Sequence, residues 1–209
     1  MATPLRLVAG LGNPGRTYAK TRHNVGFWLA DRLADALGVS FAAMSKFSGD
    51  VARVGELRIV KPATYMNESG RSIGALARFF DVPLREILVV HDELDLPPGE
   101  VKMKLGGGHA GHNGLRDIDA ALGSADFWRL RIGIGHPRGS ETPEQEVVDY
   151  VLKPPRAEER SAIESAIGRA LAAWPDIARG DMERAMQVLH TRPAAQAAAD
   201  AEARPKDSP

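Results

Sequence analysis

Asparagine and histidine gather at a few places in this chain: Asn13, His23-Asn24, Asn67, His91-Asp92 and His112-Asn113. Asn is disfavoured inside helices and strands and common at caps and turns, so Asn24, Asn67 and Asn113, taken singly, read as structural caps. Taken together the residues support a chemistry. His23 stands ahead of an apolar segment. Its candidate partner is Asp92, delivered by the apolar run Ile87-Leu88-Val89-Val90. An imidazole oriented by a carboxylate is a better general base near neutral pH. No side-chain nucleophile accompanies the pair. Cysteine is absent, and none of Ser45, Ser48, Ser69 and Ser72 lies in a G-x-S-x-G elbow. Such a pair activates water directly, and carboxamide NH2 groups of Asn can stabilise the developing oxyanion. That suits hydrolysis of an activated ester better than of an amide.

A metal competes for some of these residues. His109-x-x-His112, with His91-Asp92 and His136, offers ligands. But His109 and His112 lie among glycines, not on the i, i+4 face of a helix, and the spacing matches no familiar zinc class, so no metal is expected. Gly10-Leu11-Gly12-Asn13-Pro14-Gly15 matches the dinucleotide fingerprint G-x-G-x-x-G. Pro14 removes a donor from the loop, Arg16 to Thr21 is no apolar helix start, and Asp31 and Asp35 fall within a predicted helix. The segment reads instead as a glycine-rich tight turn or, more sharply, as a turn that presents Asn13 at a strand end. Gly106 to Gly114 is a glycine-rich loop opening a helix, whose N-terminus suits an anion. It lacks the lysine of a triphosphate-binding loop. Beside it, Lys102, Lys104, Arg129 and Arg131 recur at period two, each pair on one side of its strand. Most such residues are merely solvated; flanking the candidate site, these could hold a phosphate or an RNA backbone.

The elements that must position these groups are legible as periodicity. Strands are expected at Leu5 to Leu11, Val51 to Val54, Leu57 to Val60, Ile87 to Val90, Val101 to Leu105 and Trp128 to Ile134. Gly55-Glu56 makes the second and third a hairpin. Helices are expected at Asn24 to Leu37, from Asn67 to about Phe80, and at Leu115 to Leu122, Ala157 to Trp174 and Met182 to Leu189. The fold class is α/β, a single domain with a mixed twisted β-sheet sandwiched by helices. Ligands in such folds sit at the carboxyl ends of strands, where the suspicious residues fall: after the first strand, after Val90 and after Leu105. The domain is drawn at residues 1–192, followed by a disordered tail at 193–209 rich in Ala, Pro and charge.

With 209 residues, 44% apolar and 26% charged, the chain is an ordinary globular protein long enough for a sizeable core. No apolar run is long enough to span a bilayer, and the N-terminus lacks the order of a secretion signal, which places the protein in the cytoplasm. Zero net charge argues weakly against non-specific nucleic-acid binding and leaves room for a local basic patch.

Several segments together resemble the bacterial-type peptidyl-tRNA hydrolase family. They are Gly10 to Gly15; Tyr18-x-x-Thr21-Arg22-His23-Asn24-x-Gly26; Pro62-x-Thr64-Tyr65-Met66-Asn67-x-Ser69-Gly70; His91 to Asp95; Gly106 to Gly114; and Arg131 to Pro137. The resemblance runs from about Leu5 to Leu189, and all the blocks in order make it highly specific. It implies hydrolysis of the ester between a peptide and the 3′ end of a tRNA, which recycles tRNA from prematurely released peptidyl-tRNA. By the same resemblance His23 activates water, Asp92 orients it, and Asn113 positions the water or the substrate carbonyl. Asn13 and Asn67 fix the ester and peptide end, Met66 lines the peptide groove, and Tyr18 shapes the site near the tRNA 3′ end. Gly111 and His112 place the loop, and Lys104 and Arg131 clamp the tRNA 5′ phosphate. A cytoplasmic, cofactor-free monomer is implied, with a gate over the substrate groove in the segment Arg138 to Glu146. Two rivals stand beside it: a non-catalytic tRNA- or ribosome-binding module on the same scaffold, and a hydrolase or phosphorylase of small nucleosides.

Overall fold

In a computed structural model, residues 3–139 and 146–190 are described. The expected tail at 193–209 and most of the expected gate lie outside the described residues.

Among the described residues, seven strands form one sheet in the order β2-β3-β4-β1-β5-β7-β6. They are β1 (Leu7–Gly10), β2 (Ala42–Met44), β3 (Gly49–Val54), β4 (Leu57–Pro62), β5 (Ile87–Glu93), β6 (Val101–Leu105) and β7 (Trp128–Gly133). The four central strands, β4, β1, β5 and β7, run parallel. Antiparallel strands complete both edges. The helices are α1 (Val25–Ala36), α2 (Ser69–Phe79), α3 (Asn113–Leu122), α4 (Val147–Val151), α5 (Ala157–Ala172), α6 (Trp174–Arg179) and α7 (Met182–His190).

Two apolar layers sandwich the sheet because successive strand residues point to opposite faces. Val8, Leu88 and Val90 join α1, α5 and α7 in one layer. Leu7, Ala9, Ile87 and Val89 join α2 and α3 in the other. Strands buried on both faces explain the unbroken apolar runs at residues 7–9 and 87–90.

Parallel strands bring the carboxyl ends of β1, β4, β5 and β7 to one edge. β6 departs from that rule. It runs antiparallel to β7, with Leu105 opposite Trp128, so it ends at the far edge of the sheet. The glycine-rich loop after it crosses back over the sheet to return His112 to the functional edge. Positive φ at Gly106 (63°), Gly107 (97°) and Gly111 (82°) permits that course, and Ala110 shares it at 47°.

A close approach locates α1. A Cβ built on Gly26 meets the Leu11 nitrogen at 2.4 Å and the Val90 oxygen at 2.5 Å, and one on Gly10 meets the Gly26 oxygen at 2.3 Å. Only a glycine pair lets the start of α1 rest against the ends of β1 and β5.

Three short elements were not expected, β2, α4 and α6, while α5 fills the helix expected at Ala157 to Trp174 to within two residues. α5 ends at Ala172, and α6 follows with Pro175 in its first turn, where a missing N–H costs no helical bond. Among the described residues, no helix is long and apolar enough to cross a membrane.

Candidate active site

β5 carries Asp92 to the functional edge, and a short 3-10 turn at Arg22–Asn24 sets His23 ahead of α1. The two meet as the sequence predicts. His23 Nδ1 lies 2.9 Å from each Asp92 carboxylate oxygen. A second imidazole joins them, with His112 Nε2 3.0 Å from Asp92 Oδ1. The two rings are 5.1 Å apart, centroid to centroid.

The protons can be placed. His112 caps α3, its Nδ1 accepting the Leu115 N–H at 3.3 Å. An accepting nitrogen carries no hydrogen, so the proton of neutral His112 sits on Nε2 and is donated to Asp92. Burial alone raises the Asp92 pKa, but the charges of His23 and His112 and their hydrogen bonds outweigh it and hold the carboxyl well below its ordinary value. Asp92 is therefore an anion accepting from both rings. His23 donates from Nδ1, which leaves Nε2 as its basic nitrogen. Burial lowers the His23 pKa, and the Asp92 charge and hydrogen bond overcome this to raise it above 6.5.

His91 differs from its neighbour. Its Nδ1 donates to the Asp92 carbonyl oxygen at 2.7 Å, and its buried Nε2 has no partner among the described residues. Burial first, then His112 and Arg129, push its pKa down to about 3 despite the pull of Asp92.

Asn13, beyond β1, is buried and fixed on three sides. Its Oδ1 accepts the Met66 N–H at 2.8 Å. Asn24 Oδ1 accepts the Asn13 N–H at 2.9 Å, and Asn24 Nδ2 donates to the Asn13 oxygen at 2.9 Å. With its carbonyl engaged, the Asn13 carboxamide has its NH2 left to offer. Asn24 makes no cap bond, so its role is that of a clamp, one that sequence reasoning missed. The neighbouring His23 was the available signal.

A cavity of about 460 Å³ takes in His23, Asp92, Gly111, His112, Asn113, Lys104 and Arg131. Asn13, Tyr18, Met66 and Asn67 do not line it. Asn67 and Asn113 are exposed, Asn113 as the first residue of α3. Tyr18 meets the exposed Tyr65 edge-on, with centroids at 6.3 Å. Met66 is only 4% exposed and packs in the core, so its firm contribution is the N–H it gives Asn13.

The basic residues divide. Lys102 pairs with Glu100 and Arg131 with Glu93. Lys104 makes no ion pair among the described residues; burial, Arg131 and Arg129 lower its pKa. Arg129, expected beside it as a surface cation, is 1% exposed. Its Nη1 donates to the Gly108 oxygen at 2.8 Å and its Nη2 pairs with Asp119. It props up the glycine-rich loop from beneath.

Among the described residues, the histidines and acids grouped closely enough to share a metal are His23, Asp92 and His112, with ligand atoms within 4.8 Å of one another. Of the candidate ligands His91, Asp92, His109, His112 and His136, the group keeps Asp92 and His112 and adds His23. A metal needs lone pairs on the nitrogens that face Asp92. The Leu115 bond puts a proton on His112 Nε2 instead, so the group fits a hydrogen-bonded triad better than a metal centre.

The peptidyl-tRNA hydrolase family model matches residues 7–197. A peptidyl-tRNA hydrolase of Azoarcus sp. (strain BH72) is 56% identical over 195 residues, covering 92% of this chain and 88% of that protein. One from Bordetella petrii is 57% identical, over 91% of this chain and 92% of its own length. The crystal structure of peptidyl-tRNA hydrolase from Acinetobacter baumannii superposes with a TM-score of 0.84 at 41% identity, covering 93% of this chain and 99% of that one. The matched range takes in the positions of the triad, of Asn13 and of the basic strands, and the chain belongs to the peptidyl-tRNA hydrolase family.

Proposed function

We propose that this protein hydrolyses the ester joining a peptide to the 3′ end of tRNA, freeing tRNA from prematurely released peptidyl-tRNA. The observation that carries the reading is the 2.9 Å contact of His23 Nδ1 with ionised Asp92, which leaves Nε2 as a base at a cavity that no Ser, Thr or Cys lines among the described residues.

In the proposed reaction, His23 Nε2 takes a proton from water, and the water oxygen attacks the ester carbonyl carbon. Asp92 stabilises the imidazolium that forms. The carbonyl oxygen becomes an oxyanion, met by the NH2 groups of Asn13 and Asn113, the latter also positioning the water. The intermediate collapses, the bond to the ribose 3′ oxygen breaks, and His23 returns the proton to that oxygen. The products are the free peptide and tRNA. Asn67 holds the peptide end beside Asn13, with Met66 beneath them, and Tyr18 shapes the approach of the 3′ end. Gly111 and His112 hold the loop that presents Asn113. Lys104 and Arg131 take the 5′ phosphate of the acceptor stem. The protein acts as a cytoplasmic monomer without a cofactor.

The test is hydrolysis of a defined N-acyl-aminoacyl-tRNA beside the free aminoacyl-tRNA. Rapid turnover of the acylated form alone is expected. His23→Ala should lower it by about 10² to 10⁴ while tRNA binding stays intact. tRNA binding by the wild type without turnover would favour the non-catalytic module instead.

A further inference from the structure

Among the described residues, several hydrogen-bond donors at the cavity have no partner, although Asp95 also lines it. Asp92 is taken by two imidazoles and Glu93 by Arg131 Nε at 2.8 Å. Lys104 is left over, and so are two further imidazoles on different walls. His109 lies on the glycine-rich loop, after the Gly108 carbonyl that Arg129 holds. His136 follows β7 beyond Gly135. Both are half-buried and both line the cavity.

Their tautomers are fixed in the same way. His109 Nδ1 accepts the Gly111 N–H and His136 Nδ1 accepts the Arg138 N–H, each at 3.2 Å. Each neutral ring therefore carries its hydrogen on Nε2, as a donor. A metal would need a lone pair at that nitrogen, and an apolar ligand would strand the donor. An acceptor-rich anion satisfies both rings and Lys104 together. The phosphodiester backbone of RNA has that chemistry.

We propose that His109 and His136 donate from Nε2 to phosphate oxygens of the bound RNA strand, extending the Lys104–Arg131 pair into a track of donors along the cavity. The proposal rests on tRNA being the substrate.

Two replacements separate this role from a structural one. Asn keeps an acceptor for the backbone N–H two residues on and deletes the distal donor. Gln does the reverse. The measurement is the affinity of the full chain for deacylated tRNA, at several salt concentrations. His109→Asn and His136→Asn should each weaken binding about tenfold, as for loss of a hydrogen bond to a charged group. His109→Gln and His136→Gln should stay near wild type. A neutral donor releases no counterion, so the salt slope should hold in the Asn variants and fall by about 0.9 in Lys104→Ala. Wild-type affinity in the Asn variants overturns the proposal, as does loss confined to the Gln variants. Failure of the wild type to hydrolyse N-acyl-aminoacyl-tRNA overturns the proposed function instead.

Discussion

Asn24 holds Asn13 by both its backbone groups, accepting from the N–H and donating to the carbonyl, each at 2.9 Å. The two residues are far enough apart to belong to different elements, the turn after β1 and the turn before α1. The bond pair fastens the proposed oxyanion donor to the segment that carries the base.

Asn24→Ala should therefore harm stability and activity together. Two buried backbone groups lose their partners, at about 1–3 kcal/mol each. Asn24→Asp keeps the acceptor but turns a carboxylate oxygen toward the Asn13 carbonyl, so it should be no better. Denaturant unfolding measures the first effect, and kcat under folding conditions the second. A stable variant with full kcat would show that the clamp is dispensable.

The rate should follow the ionisation of His23. Only the neutral ring is a base, and its pKa is raised above 6.5, so kcat should climb with pH along a limb centred above that value. Asp92→Ala removes what raises the pKa and leaves burial, which lowers it. The limb should then move to lower pH while the plateau falls, by less than in His23→Ala. A pH–rate profile with an unmoved limb would separate Asp92 from the tuning of His23.

His91 should make the fold sensitive to mild acid. In the folded protein it stays neutral down to about pH 3. Unfolded, it takes a proton near pH 6.5. Between those values the unfolded state binds the extra proton, so stability falls as pH falls. From pH 7 to pH 5 this amounts to about 2 kcal/mol. His91→Leu should lose that much less over the same interval in urea titrations. Parallel losses in the two proteins would locate the acid sensitivity elsewhere.

Chelation offers a fourth check. With His112 Nε2 protonated toward Asp92, EDTA should leave turnover unchanged. Inhibition that zinc reverses would mean that the His23, Asp92 and His112 group binds metal after all.

Most of the scaffold could be read from the chain because strong periodicity reflects burial on known faces. β6, β7 and α3 are found where alternation and helical spacing put them, and β5 where an unbroken apolar run does. β2 was missed because Ala42, Ala43 and Met44 are exposed and give no alternation. α4 was missed because Val147-Val148-Asp149-Tyr150-Val151 is β-branched and aromatic, a strand composition that tertiary context overrides. The His23–Asp92 pair was legible from residue type and from the elements that end there. The bond from His112 to Asp92 was not, since it depends on the loop recrossing the sheet, which follows from the direction of β6. Nor was the burial of Arg129, because period two gives the side of a strand and not what covers it.

The glycine contact beneath α1 makes the reacting geometry depend on two residues that have no functional group at all. Gly26 comes three residues after His23, and the Val90 oxygen it touches two residues before Asp92. The contact works as a fulcrum between the arms that bear the base and its anion. A single methyl at residue 26 would pry those arms apart, and the chain would keep every chemically reactive side chain yet lose the alignment that makes them a pair.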